Sequence, residues 1–167
     1  MTDGQRVSLV ASRHAEWAAR FGELVARLED LVPGAVVEHI GSTSVPGLPA
    51  KDVVDVLVGV AAADVEPVAR RFAAAGLDLE GTRAHHCWLS LPDRTARTAV
   101  VHVVEHGGRA WDNRVSFRDL LRRDAAARQA YLRVKEDAAR QTENWDDYTQ
   151  AKTAVVAELL AAARRGS

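Results

Sequence analysis

Residues 39–60 read HIGSTSVPGLPAKDVVDVLVGV, a turn rich in Gly, Ser and Pro that runs straight into a valine-rich strand carrying one carboxylate, Asp55. Alternate side chains of a strand share a face, so Asp55, Leu57 and Gly59 lie on one side of Val53–Val60, and Val54, Val56 and Val58 lie on the other. The run is apolar on both sides, as in a central, covered strand. An ionised carboxylate there is costly unless something pairs with it, and a metal ion, a lysine or the backbone N–H groups of the preceding turn are the available partners. The turn Gly41-Ser42-Thr43-Ser44 suits an anion, because glycine lets backbone approach a ligand and successive N–H groups with hydroxyls form a concave site. Phosphate is the natural guest. Pro46 fits the first turn of a short helix, whose N-terminus would add partial positive charge.

Working outward, Trp17, Phe21, Leu24, Val25, Leu28 and Val32 recur at helical spacing, which predicts an amphipathic helix over about 13–32, stopped by Pro33-Gly34 and preceded by a short strand at Val7–Val10. Val36–Ile40 reads as a strand, Asp64–Ala75 as a helix stopped by Gly76, and Ala84–Leu91 and Thr98–Glu105 as strands joined by LPDRTAR. From about Trp111 the chain reads as helical, with two segments near 115–141 and one near 146–165. The expected fold class is α+β: a mixed sheet with packed helices over about 1–110 and a helical part over about 111–167, in a single domain.

Composition narrows the function. The chain has 22 basic and 23 acidic residues, so no global field draws it to nucleic acid or to a membrane surface. The N-terminal sequence lacks an apolar stretch of signal-peptide length, and no run reaches the ~20 apolar residues of a bilayer span. The single cysteine, Cys87, excludes an intrachain disulfide and any CxxC zinc pattern, which fits a reducing cytoplasm. Nineteen of the 22 basic residues are Arg, and two accounts of the three lysines, Lys51, Lys135 and Lys152, stay open: places where a compact ammonium is preferred to a guanidinium fork, or chance survivors of an arginine-biased composition.

The stretch EHIGSTSVPGLPAKDVVDVLVGV closely resembles the signature of the GrpB (UPF0157-type) family, small bacterial proteins with a nucleotidyltransferase-like fold. HAEWAARFGEL resembles that family's first helix, and FRDLLRRDAAARQAYLRVKEDAAR with YTQAKTAVVAELL resembles its helical C-terminal motifs, so the likeness covers nearly the whole chain. In polymerase-β-like nucleotidyltransferases a Gly-Ser turn holds the nucleotide phosphates, two carboxylates two residues apart on the next strand bind Mg²⁺, and a third follows on a later strand. The resemblance therefore implies phosphate binding at the Gly41-Ser42 turn and a catalytic and metal-binding role for Asp55; Thr43 and Ser44 of the same turn and Lys51, the only lysine in the first 134 residues, are expected to help hold the phosphate. Arg118, Tyr131, Lys135, Tyr148 and Lys152 match the helical motifs and form a candidate second wall, with interhelix structure as the rival account.

The departures matter as much. Leu57 stands where the second carboxylate belongs, and Asp52 points to the other side of its strand. In TAVVHVVEH, His102 sits mid-strand and is expected to face the site, with Glu105 at the end. One Asp with one imidazole is a poor Mg²⁺ set, better suited to Zn²⁺ or Mn²⁺, although nucleotide phosphates could add oxygens. Three accounts stay open: an enzyme transferring a nucleotidyl group with Mg²⁺ or Mn²⁺, a binding or partner-stabilising module like the GrpB-type domains fused to dephospho-coenzyme A kinases, and a structural protein. Of the other notable side chains, at most one of His85 and His86 can face a site, His106 reads as a loop residue, Cys87 as core, and Arg122, Arg123, Asp124, Arg128 and Arg133 as a solvated helix face.

Overall fold

A computed structural model describes residues 7–141 and 145–166. Helix α1 (His14–Leu31) leads into strand β1 (Val36–Ile40), a one-turn 3-10 helix at Ser42–Ser44 and strand β2 (Val54–Val60). Helix α2 (Val65–Ala74), strands β3 (Asp78–Arg83), β4 (His86–Leu91) and β5 (Ala99–Glu105), and helices α3 (Arg109–Arg123), α4 (Ala125–Gln141) and α5 (Trp145–Arg165) complete the order. The architecture is α+β, with five strands ordered β1-β2-β5-β4-β3. Only β2 and β5 pair in parallel; the other neighbours are antiparallel.

The alternation along β2 sorts the two faces of the sheet. Val54, Val56 and Val58 join Val101, Val103, Cys87 and Leu89 in one core with Trp17 and Leu28 of α1 and Val68 and Phe72 of α2. On the opposite face Leu57, Ile40 and Val104 meet Trp111 of α3. A third cluster ties the helical part to the loop before β2, since Val45 and Leu48 are buried against Phe117, Leu121, Tyr131 and Leu160. This leaves the 41–50 loop clasped between sheet and helices.

Several expectations shift. The helix anticipated after Pro46 is instead the 3-10 turn before it, and Pro46-Gly47 form a tight turn closed by a Leu48 N–H to Val45 carbonyl bond of 3.3 Å, with Gly47 at φ 78°. The strand expected at Val7–Val10 is a single bridge between Val10 and Ala50. Strand β4 starts at His86, because His85 takes a left-handed φ of 65° in the preceding turn. Strand β3 carries no sequence signal: DLEGTR is an edge strand with charges and a glycine where β-branched residues are usual. Its Gly81 is required by packing, since a Cβ there would lie 2.0 Å from the Trp88 indole.

Candidate functional site

Asp55 sits on the helix-facing side of β2, opposite Ile40 of β1 and Val100 of β5. One carboxylate oxygen lies 3.5 Å from Nε2 of His102, and 34 % of the side-chain surface stays open. The other oxygen lies against Gly41, where a Cβ would come within 2.6 Å of it. Gly41 has φ 71° and ψ −174°, a backbone conformation essentially reserved for glycine, so the turn and the carboxylate fit together only through the missing side chain. Burial opposes ionisation of Asp55, but His102 and the Lys51 and Lys152 charges outweigh it and hold the carboxyl below its ordinary value.

The contact with His102 extends further. His86 Nε2 lies 3.1 Å from His102 Nδ1, which sets Asp55, His102 and His86 in a row across β2, β5 and β4. Burial, together with His102, Arg114 and Arg83, pushes the His86 imidazole down to about 3, so it is neutral at physiological pH. A cavity of about 440 Å³ opens at this end, lined by His86, Glu105, Asn113 and Arg114 among others. Arg114 is half-buried and lies within the field of Asp55. Of the pair His85 and His86, of which at most one was expected to face a site, it is His86 that meets His102; Arg114 did not stand out in the sequence, where the available signal was its place one helical turn from Arg118 on α3.

The hydroxyls of the turn divide. Thr43 Oγ1 lies 2.9 Å from His39 Nε2, and Ser44 Oγ donates to the Gly41 carbonyl at 2.6 Å, so both are occupied in holding the turn. Only Ser42 faces the helices, where its Oγ accepts a 2.8 Å hydrogen bond from Nζ of Lys135 on α4. The same ammonium donates to the Pro49 carbonyl at 2.5 Å. Lys135 is buried, and burial with the nearby Lys152 charge pulls it down to about 7, against the pull of Asp55.

Lys51 and Lys152 complete the cluster around Tyr148 of α5. Each Nζ lies 4.6 Å from the centroid of the Tyr148 ring, a cation–π distance. Burial, then Lys152, pushes Lys51 down to about 6, while Asp55 opposes the change. Tyr148 is fully buried, its phenol is raised above the usual range by burial, and its hydroxyl has no hydrogen-bond partner among the described residues. The three lysines of the chain, far apart in sequence, thus share one neighbourhood: Lys135 holds Ser42, Lys51 and Lys152 flank the Tyr148 ring, and all three lie within the field of Asp55.

Other expected site residues are placed elsewhere. Arg118 is buried and donates to Glu38 at 2.5 Å, to the His39 carbonyl at 3.1 Å and to Asp119 at 3.0 Å, which fastens α3 to β1 and occupies the guanidinium. Asp52 is bound to α1 by Trp17 Nε1 at 2.9 Å and by Arg13 at 2.8 Å, as its opposite orientation implied. Arg122, exposed as expected, still donates to the Ser44 carbonyl at 3.0 Å. His106 packs edge-on against Trp111.

The divalent cation implied by the resemblance finds a poor donor set here. Leu57 is apolar where a second carboxylate would stand, and the two nitrogens of His102 contact Asp55 and His86 in line, so these groups do not converge on one point. Among the described residues no group of three His, Cys, Asp or Glu side chains could hold a metal.

The sheet, the Gly-Ser turn at the head of β2 and the inward carboxylate define a protein with a nucleotidyltransferase-type fold. In keeping with this, a cytoplasmic RNA terminal U-transferase shares the fold at a TM-score of 0.53 and 18 % identity, over 80 % of this chain and 43 % of that one. The chain belongs to the GrpB protein family, whose pattern matches residues 6–162. A UPF0157 protein of Deinococcus radiodurans is 44 % identical over 154 residues, covering 92 % of this chain and 81 % of the relative. The glutamate-rich protein GrpB of Alkalihalophilus pseudofirmus is 31 % identical, over 88 % and 91 % of the two chains. The crystal structure of the conserved protein GrpB from Enterococcus faecalis superposes with a TM-score of 0.77 at 26 % identity, over 92 % of this chain and 98 % of that one. Among the described residues no helix is long and apolar enough to cross a membrane.

Proposed function

We propose that the protein binds the phosphate groups of a nucleotide or another phosphorylated small molecule in the cleft between the Gly41–Ser42 turn, β2 and helices α4 and α5. The observation that carries this reading is the grouping of Lys51, Lys135 and Lys152 beside the turn: Lys135 on Ser42, Lys51 and Lys152 on the Tyr148 ring, and all three in the field of Asp55. Crowding ammonium groups is unfavourable in the empty protein, and an anion is the ligand that relieves it. The Tyr148 hydroxyl, unpartnered among the described residues, supports the same reading, because an unsatisfied buried donor costs about 1–3 kcal/mol and a phosphate oxygen would satisfy it.

Metal-assisted nucleotidyl transfer, with Asp55 and His102 in catalytic roles, is the second reading; the fold likeness favours it, although fold and function are separable. Competition of nucleoside triphosphates against a fluorescent nucleotide, in the presence of Mg²⁺, tests binding on wild type, Ser42→Ala and Lys135→Ala. The wild type is expected to bind, with both variants weaker by about tenfold or more. Equal and negligible binding by all three would remove the reading, and release of pyrophosphate from a triphosphate would favour the second.

A further inference from the structure

We infer that the Lys51, Lys135 and Lys152 ammonium groups take the place that divalent cations hold in metal-dependent members of this fold, so that the site takes up a polyphosphate without metal. The inference rests on the phosphate-binding reading above and adds to it the means by which charge is balanced.

A two-metal site needs several oxygen donors directed at each ion, and the ions in turn neutralise both the carboxylates and the incoming phosphates. Here the strand offers a single carboxylate, Asp55, with Leu57 beside it on the same face. One oxygen of Asp55 faces His102 and the other abuts Gly41. His102 is itself engaged by His86, so neither ring nitrogen is free for an ion without breaking the row.

The compensating charge comes from the opposite wall. Lys135 on α4 reaches Ser42 at 2.8 Å, and Lys152 on α5 shares the Tyr148 ring with Lys51 from the loop, each at 4.6 Å. When protonated, the three ammonium groups set positive charge in the field of Asp55, the kind of charge that a metal pair would otherwise supply. Ammonium groups bind phosphate as point charges and make no demand on coordination geometry. The buried Tyr148 hydroxyl, unpartnered among the described residues, adds a neutral donor in the field of the same carboxylate. The lysines also depart from the remaining 19 basic residues, all of them arginine, which fits a site that needs compact cations and not planar forks.

Titration calorimetry of the full chain with inorganic tripolyphosphate, in EDTA and again with excess Mg²⁺ or Mn²⁺, tests this. Lysine-held polyphosphate is expected to bind in EDTA as tightly as with metal or tighter, because a cation in solution neutralises the ligand. Lys152→Gln should weaken binding in EDTA by about tenfold or more. Asp55→Asn gives the sharper contrast: it removes a like charge from the anion's neighbourhood and should tighten metal-free binding by about threefold or more, whereas a metal ligand cannot be lost without losing affinity. Binding at least tenfold weaker in EDTA than with Mg²⁺ or Mn²⁺, or loss of affinity in a folded Asp55→Asn protein, would overturn metal-free uptake while leaving phosphate binding intact. Absence of binding under every condition would overturn the underlying reading as well.

Discussion

Gly41 shows how one residue decides whether the site can exist. Its positive φ and extended ψ suit glycine alone, and the space its side chain would occupy is filled by Oδ2 of Asp55. Gly41→Ala therefore meets backbone strain of about 1–3 kcal/mol and a collision with the carboxylate as well. Urea denaturation is expected to show a loss of at least that size, accompanied by displacement of the His102 ring resonances as Asp55 moves. A wild-type midpoint would mean that the turn relaxes without cost and that Gly41 is incidental. The same scale explains Thr43 and Ser44, whose hydroxyls were expected at the ligand but hold the turn through His39 and the Gly41 carbonyl.

Between elements, the contacts that assemble the cleft differ in kind. The 41–50 loop is held to the helices by apolar packing of Val45 and Leu48. Helix α3 is held to β1 by polar bonds from Arg118, whose partner Glu38 keeps 38 % of its side-chain surface exposed. Replacing Arg118 with Met removes a buried charge that is paired on several sides, so the His39 carbonyl and Glu38 lose their donor. Stability should fall by about 1–3 kcal/mol, since a half-exposed carboxylate recovers water. Tripolyphosphate affinity of the folded variant should stay within about twofold of wild type if Arg118 serves only this joint. A tenfold loss of affinity at unchanged stability would return Arg118 to the ligand wall suggested by its place in the helical motif.

For the molecule as a whole, the buried bases tie stability to pH in one direction and ligand affinity in the other. His39 and His86 are lowered to about 4 and about 3, both chiefly by burial, and Lys51 and Lys135 to about 6 and about 7 for the same leading reason. A base with a lowered folded pKa leaves the unfolded chain holding more protons, so stability rises with pH between the folded and unfolded values. The unliganded protein should therefore gain stability from about pH 3 to about 6.5 through the histidines and from about pH 6 to about 10 through the lysines. Polyphosphate reverses the trend for the lysines, because it favours their charged forms: binding takes up protons, and affinity should fall as pH rises above about 6. Thermal melts and calorimetry in buffers of different ionisation enthalpy read both effects. An affinity that is flat between pH 6 and pH 9 would show that Lys51 and Lys135 stay charged in the empty protein.

Much of this arrangement was legible along the chain wherever a short-range rule applies. Strand alternation put Asp55 and Leu57 on one face of β2 and three valines on the other, the spacing of Trp17, Phe21 and Leu28 gave α1, and the GSTS turn marked the head of the cleft. The scarcity of lysine picked out three positions that the fold brings together. What the sequence could not supply were pairings between distant segments. DLEGTR has no strand propensity of its own and becomes β3 because β4 offers it a ladder and Trp88 needs the open surface of Gly81. Arg118 carries the same charge as any ligand-binding arginine, and only the neighbouring Glu38 and His39 carbonyl settle its use. His86 gains its role from a histidine on the adjacent strand, and the packing around α5 leaves the Tyr148 hydroxyl without a partner among the described residues. Alternation, propensity and composition act over a few residues and were fixed by the chain alone; burial and charge pairing depend on which distant groups meet, and tertiary structure alone decided those.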